Sequence, residues 1–239
     1  MYSRETGKFT FVPGPIFAQF LLADEINRAP AKTQSALLGA MQDHQVTVDG
    51  TSRPLPAPFV VVATQNPTDQ YGTFPLPEGQ LDRFAVALSL GPNDVATERR
   101  VMREQLLRAT VDELQPVLEA AELRWIQLEV RRTHIADPVL DFALAVLDAT
   151  RSNDCVRVGA SSRAGLSLMR CAQAHALLSG RDYVVPDDVK VLAPSVLGHR
   201  LVLADGIGGE HGSQYGMGVG VGAQVVADIL ATVPVPLRG

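Results

Sequence analysis

With 239 residues, 46% of them hydrophobic, and a formal net charge of -5, the chain holds enough apolar mass for one large domain or two small ones; it is neither a disordered segment nor a generally basic nucleic-acid binder. No apolar stretch is long enough to span a membrane, and the opening MYSRETGKFTF lacks an apolar signal core, so the cytoplasm is the expected location. The two cysteines, Cys155 and Cys171, show no metal-ligand spacing and read as free thiols of a reducing compartment.

Taken in order, residues 7–11 alternate weakly and suggest one arm of a hairpin, followed by a turn at Pro13 to Pro15. Residues 20–24, FLLAD, form a short continuous apolar run, as expected of a strand covered on both faces. Residues 29–45 carry Leu37, Leu38 and Met41 on one helix face, with Pro30 suited to a first turn. Asp49-Gly50 predicts the turn of a second hairpin. Residues 58–67, PFVVVATQNP, give a second continuous apolar strand that ends in a polar residue, Asn66.

After about residue 95 the composition turns helical. Residues 95–110, 137–150, 163–178 and 186–201 show helical spacing; Pro138 and Pro186 suit helix starts and Gly180 a helix stop. The glycine-rich stretch 206–222 reads as a mobile linker, and residues 223–236 as a short docking helix.

The two buried-type strands end in Asp24-Glu25 and in Asn66. In an open α/β sheet, ligands bind beyond the carboxyl ends of the strands. Parallel neighbours would bring the three residues into one crevice suited to phosphoryl transfer from a nucleotide. There Asp24 would hold Mg²⁺, Glu25 would polarise the attacking water, and Asn66 would help to position it. Two desolvated carboxylates repel each other, so they need a cation or solvent. The plainer alternative for Asp24-Glu25 is a solvated strand end.

Several long motifs in order resemble the MoxR family of AAA+ ATPases. Residues 9–50 are similar to that family's Walker B region with its flanking helix-2 insert and pre-sensor hairpin, ATQNP to the sensor 1 strand, residues 72–84 to the segment with the arginine finger, and residues 159–189 to the helical lid. The resemblance implies an α/β fold: a partial AAA+ P-loop core, a parallel sheet with flanking helices, over residues 1–94, then an all-helical lid over 95–205 and a tail over 206–239. It assigns catalytic roles to Glu25, Asn66 and Arg83, Mg²⁺ binding to Asp24, and nucleotide sensing to Arg163. ATP and Mg²⁺ are the implied cofactors. The implied partners are further copies of the chain in a ring, usually a hexamer, and a client protein, with a von Willebrand factor A-type domain as the candidate. Nucleic acid is disfavoured, since the sequence has no basic run with aromatic residues.

The phosphate loop GxxxxGKS/T occurs nowhere in the sequence. The family carries it upstream of these motifs, so the first strand and helix of the core are expected to be absent with it. Gly216 to Gly222 cannot replace it, having no Lys-Ser/Thr ending. The family usually has proline where this chain has Ser162, and Glu-Arg is common where it has Asp43-His44. Plainer roles remain beside the functional ones. Arg28 suits a salt bridge or a ring interface. Arg83 could pair with Asp82. Arg163, near a helix start, favours an anionic partner against the dipole. His134, His175 and His199 read as packing or surface residues, and Cys171 and Trp125 as lid packing.

Overall fold

The computed structural model describes residues 2–3, 8–9, 11–66, 73–106, 114–206 and 218–236. At the start, β1 (Tyr2–Ser3) and β2 (Lys8–Phe9) pair antiparallel, so the expected hairpin arm at residues 7–11 finds its partner before it and not beyond the turn at Pro13 to Pro15. Next come β3 (Phe20–Ala23), a 3-10 turn at Ile26–Arg28, and α1 (Ala31–Asp43). β4 (Gln45–Val48) and β5 (Thr51–Pro54) form the second hairpin. Its turn residues, Asp49 and Gly50, both have positive φ, the combination that matches the twist of a two-residue hairpin. β6 (Val60–Ala63) returns beside β3 in parallel, in register from Phe20↔Val60 to Ala23↔Ala63.

This parallel pair is not covered on both faces by the described residues. Leu21, Ala23, Val61 and Ala63 are half-buried, but Phe20, Leu22 and Val62 are 61%, 65% and 53% exposed. The small core beneath the sheet is Ile26, Leu38 and Leu76, with Leu37, Met41, Ala63, Leu81 and Phe84 packed on it. α1 therefore covers one face only.

A short α2 (Glu78–Leu81) leads to α3 (Val95–Leu106), α4 (Ala120–Val130), α5 (Asp137–Arg151), β7 (Val156–Val158), α6 (Ser162–Leu178), α7 (Pro186–Leu197), β8 (Val202–Leu203) and α8 (Gly218–Thr232). Proline in the first turns of α5 and α7, and Gly180 at φ +75° after α6, set the helix limits as expected. β7 and β8 add a small antiparallel ladder among the helices. The main core lies here: Val146, Leu168, Val189, Val196, Leu197 and Val226 are fully buried.

Two further expectations change. The linker reading of the glycine-rich stretch fails at its end, because residues 218–222 are helical and open α8; residues 207–217 lie outside the described ones. The glycines serve a close approach: a Cβ on Gly222 would collide with the carbonyl oxygen of Gly198, and one on Gly198 would meet the backbone of Ala223. Trp125 is not lid packing. It is 62% exposed on α4, a helix with no buried residue.

Candidate functional site

The chain stops its first buried-type strand at two acids because it turns sharply there. Glu25 adopts a left-handed conformation (φ 47°, ψ 51°), uncommon for a residue with a Cβ, and leads into the 3-10 turn. The register of β3 on β6 then brings Thr64 against this turn. Thr64 donates its N–H to the Ala23 carbonyl (3.1 Å), and its own carbonyl accepts the Ile26 N–H (3.0 Å). Its hydroxyl accepts the Glu25 N–H at 2.9 Å and donates to Oδ1 of Asp24. One side chain thus orients Asp24 and fixes the backbone of Glu25. Sequence reasoning passed over Thr64, which reads simply as a strand former after an apolar run.

Asp24 is exposed and Glu25 half-buried. Oε2 of Glu25 sits 2.8 Å from Nε of Arg28, so Arg28 makes the ion pair weighed for it. With the two side chains 38% and 51% exposed, that pair contributes little to stability. Asn66, half-buried, follows Thr64 by two residues at the same end of the sheet. The buried amide of Gln34 on α1 holds the turn from behind, donating to the carbonyls of Ile26 (3.1 Å) and Phe74 (2.8 Å). Nothing local marks this glutamine beyond its place among the apolar residues of the helix.

Arg83 and Arg163 belong to a second place, the junction of α2 with α6. Arg83 is exposed and makes no ion pair among the described residues. The local pair with Asp82 does not form. Asp82 instead faces Nε of Arg200 at 3.5 Å and the Ser161 hydroxyl at 3.4 Å. Ser161 also caps α6, its Oγ accepting the Ala164 N–H at 3.1 Å. Arg163, exposed on the first turn of α6, carries a positive charge at the end of the helix that disfavours one. Among the described residues, no hydrogen bond or ion pair joins Arg83 or Arg163 to Asp24, Glu25 or Asn66.

The acids have the right chemistry for a hard cation. Thr64 takes Oδ1 of Asp24, leaving Oδ2 to an oxygen-seeking ion. No group of three or more His, Cys, Asp or Glu side chains able to hold a metal occurs among the described residues. The described residues therefore build no all-protein cage. Mg²⁺ does not need one, since it is commonly held by one or two carboxylates together with substrate phosphates and water.

Comparison with known proteins fits this architecture. The family model described as "ATPase family associated with various cellular activities (AAA)" matches residues 1–86, and that of the AAA lid domain matches residues 148–212. Chaperone MoxR1 of Mycobacterium tuberculosis is 41% identical over 212 residues, covering 85% of this chain and 56% of its own. The chain belongs to the MoxR family of AAA+ ATPases. Another relative, the uncharacterized protein YeaC of Bacillus subtilis, is 43% identical over 203 residues, 85% of this chain and 63% of its own. The crystal structure of a candidate ATPase from Cytophaga hutchinsonii superposes with a TM-score of 0.88 at 36% identity, covering 99% of this chain and 72% of that one. The chain thus spans less than two thirds of the length of these two curated relatives. Among the described residues, no helix is long and apolar enough to cross a membrane.

Proposed function

We propose that the protein is a cytoplasmic MoxR-type ATPase subunit that couples ATP hydrolysis to remodelling or activation of a partner protein. Residues 1–94 form its nucleotide-facing part and residues 95–205 its lid. The observation that carries the reading is the knot at the strand ends, where the Thr64 hydroxyl joins Asp24 to the backbone of Glu25. That knot lies at the carboxyl ends of parallel strands, where α/β sheets bind their ligands.

Asp24 is the residue to hold Mg²⁺, which when bound offsets the charge of the phosphates. Glu25 takes the proton of the attacking water once its carboxylate leaves Arg28. Asn66 orients that water through its amide. Arg83, exposed and without an ion pair among the described residues, is suited to meet the nucleotide of a neighbouring subunit in a hexameric ring. Arg163 senses the phosphates from the lid. The "chaperone" in the name of the mycobacterial relative supports a client protein as the partner, with a von Willebrand factor A-type domain as the first to test. The net charge of -5 disfavours nucleic acid. In the full-length protein, Glu25→Gln should keep ATP binding and slow hydrolysis by about a hundredfold. Unchanged turnover overturns the assignment.

A second reading applies to the 239-residue chain taken by itself, which holds no GxxxxGKS/T. On that reading the subunit does not hydrolyse ATP and contributes Arg83 to a neighbour. A fluorescent ATP analogue titrated against the 239-residue chain puts the second reading at risk. Weak binding is expected of this chain, because the phosphate loop supplies many of the phosphate contacts in such sites. Micromolar binding that Asp24→Ala abolishes excludes the second reading.

A further inference from the structure

The segment around Arg83 is tied to the helical half on both sides of that residue. Before it, Asp82 faces Nε of Arg200 at 3.5 Å and Ser161 Oγ at 3.4 Å. After it, the Phe84 carbonyl accepts Nη2–H of Arg200 at 2.7 Å and Nε2–H of His199 at 3.0 Å. Nη2 also donates to Ser167 of α6 at 3.2 Å, and farther on the Ala87 N–H donates to the Ser195 carbonyl at 2.9 Å. Of residues 82–84, only Arg83 is left exposed.

Arg200 is a costly residue to use for packing alone. Its side chain is 2% exposed, yet Nε and Nη1 make no hydrogen bond among the described residues. Unpaired buried donors are expensive, and an apolar side chain of similar volume often replaces a buried ion pair with no loss of stability. What Arg200 does instead is grip the residues before and after Arg83 with one planar group.

We propose that Arg200 is a positioning residue for Arg83, fixing the direction in which that side chain leaves the surface and tying it to α6 and α7. The inference rests on the reading of Arg83 as the residue that meets a neighbour's nucleotide. A shift of the helical half then moves Arg83 directly, through its two neighbours in the chain.

Two measurements test it. In the first, amide hydrogen exchange is followed in the chain carrying Arg200→Met. The amides of Arg83, Phe84 and Ala87 should exchange about tenfold faster, the scale of a lost charge-assisted hydrogen bond. Those of Ala172 and Ala176, in the core of α6, should not change. A uniform rise across both groups, or no change at residues 83–87, overturns the proposal. In the second, ATP turnover of the full-length protein is measured for Arg83→Ala, Arg200→Met and the double variant. Arg200→Met should lower kcat with little change in KM, and should cost nothing further in the Arg83→Ala background. Additive losses mean that Arg200 acts by another route and overturn the proposal. If Arg83→Ala leaves turnover unchanged, the reading of Arg83 fails, while the exchange experiment still decides whether Arg200 holds residues 82–84. Should Arg200→Met not fold, Asp82→Asn, which removes only the half-buried acidic partner, takes its place in both experiments.

Discussion

The helical half and the strand-bearing half keep their apolar residues differently. In the helical half Leu168, Val189, Val196, Leu197 and Val226 are fully buried in one continuous core. In the strand-bearing half the buried cluster is Ile26, Leu38 and Leu76, while Phe20, Leu22 and Val62 stand more than half exposed on the open face of the sheet. Polar contacts join the halves, chiefly those from Arg200, His199 and Ser161 to residues 82–84. Stability is therefore concentrated where the proposed chemistry is not. Substitutions at the strand ends should change turnover more than folding, and those in the core of the helical half the reverse.

The largest effect is expected at Arg83. An arginine supplied in trans contributes about 10³ to 10⁵ in rate, because it meets charge that develops only in the transition state. Arg83→Ala should lower turnover of the full-length protein on that scale and leave the melting temperature nearly unchanged, since the side chain is exposed. Mixing Arg83→Ala subunits with Glu25→Gln subunits should restore part of the activity, because some interfaces then pair an intact Glu25 with an intact Arg83. Rings shown to be mixed but still inactive count against action in trans. The counterpart in the helical half is Leu197→Ala. Removing most of a fully buried leucine should cost about 2–5 kcal/mol, read as a lower urea midpoint. A loss below about 1 kcal/mol would mean that this core relaxes and that the contrast between the halves is weaker than the burial suggests.

Acid should act on the helical half next. Asp188 on α7 is 1% exposed. Burial alone would push its carboxyl up, but the hydrogen bonds from Arg181 (2.6 and 2.8 Å), the Val185 N–H (2.8 Å) and His175 (2.6 Å) outweigh that and bring it from 3.8 to about 2. A carboxyl whose folded pKa is depressed gives stability that is present above its unfolded pKa and lost as pH falls through the folded one. The difference corresponds to about 2 kcal/mol, lost between pH 3.8 and about 2. Asp188→Asn should flatten the acid limb of stability over that window. An unchanged limb would assign acid unfolding to other carboxyls.

The strand ends were legible in the sequence because an apolar run that stops at adjacent acids is itself a signal; their parallel pairing was only a condition there and is settled by the register of β3 on β6. The helix limits were equally plain, since proline and glycine act through their own backbone geometry. The joints between the elements were not legible. Thr64 matters only because Ala23 pairs with Ala63, which sets the residue just after β6 against the turn at Glu25. Arg200 and His199 sit at the end of a helical pattern, and nothing nearby in sequence points to a carbonyl well over a hundred residues away. Trp125 misled because an aromatic residue with helical spacing usually packs inward, while α4 buries no residue at all.

The smallest effect is expected on the open face of the sheet. Leu22 lies opposite Val62 in the parallel register, and both project away from the Ile26–Leu38–Leu76 cluster, with Leu22 65% exposed. Threonine suits a strand about as well as leucine, so Leu22→Thr tests cover rather than backbone preference. If the face is open to solvent in the folded protein, the substitution should change stability by no more than about 0.5 kcal/mol, as for most surface positions. If the face is covered, the lost contact should cost about 2 kcal/mol or more, as in a core. Urea unfolding of the 239-residue chain reads the difference directly. A small change here beside a large one for Leu197→Ala is the result that the contrast between the halves requires. Two large changes would show that the strand-bearing half buries this face as fully as the helical half buries its core.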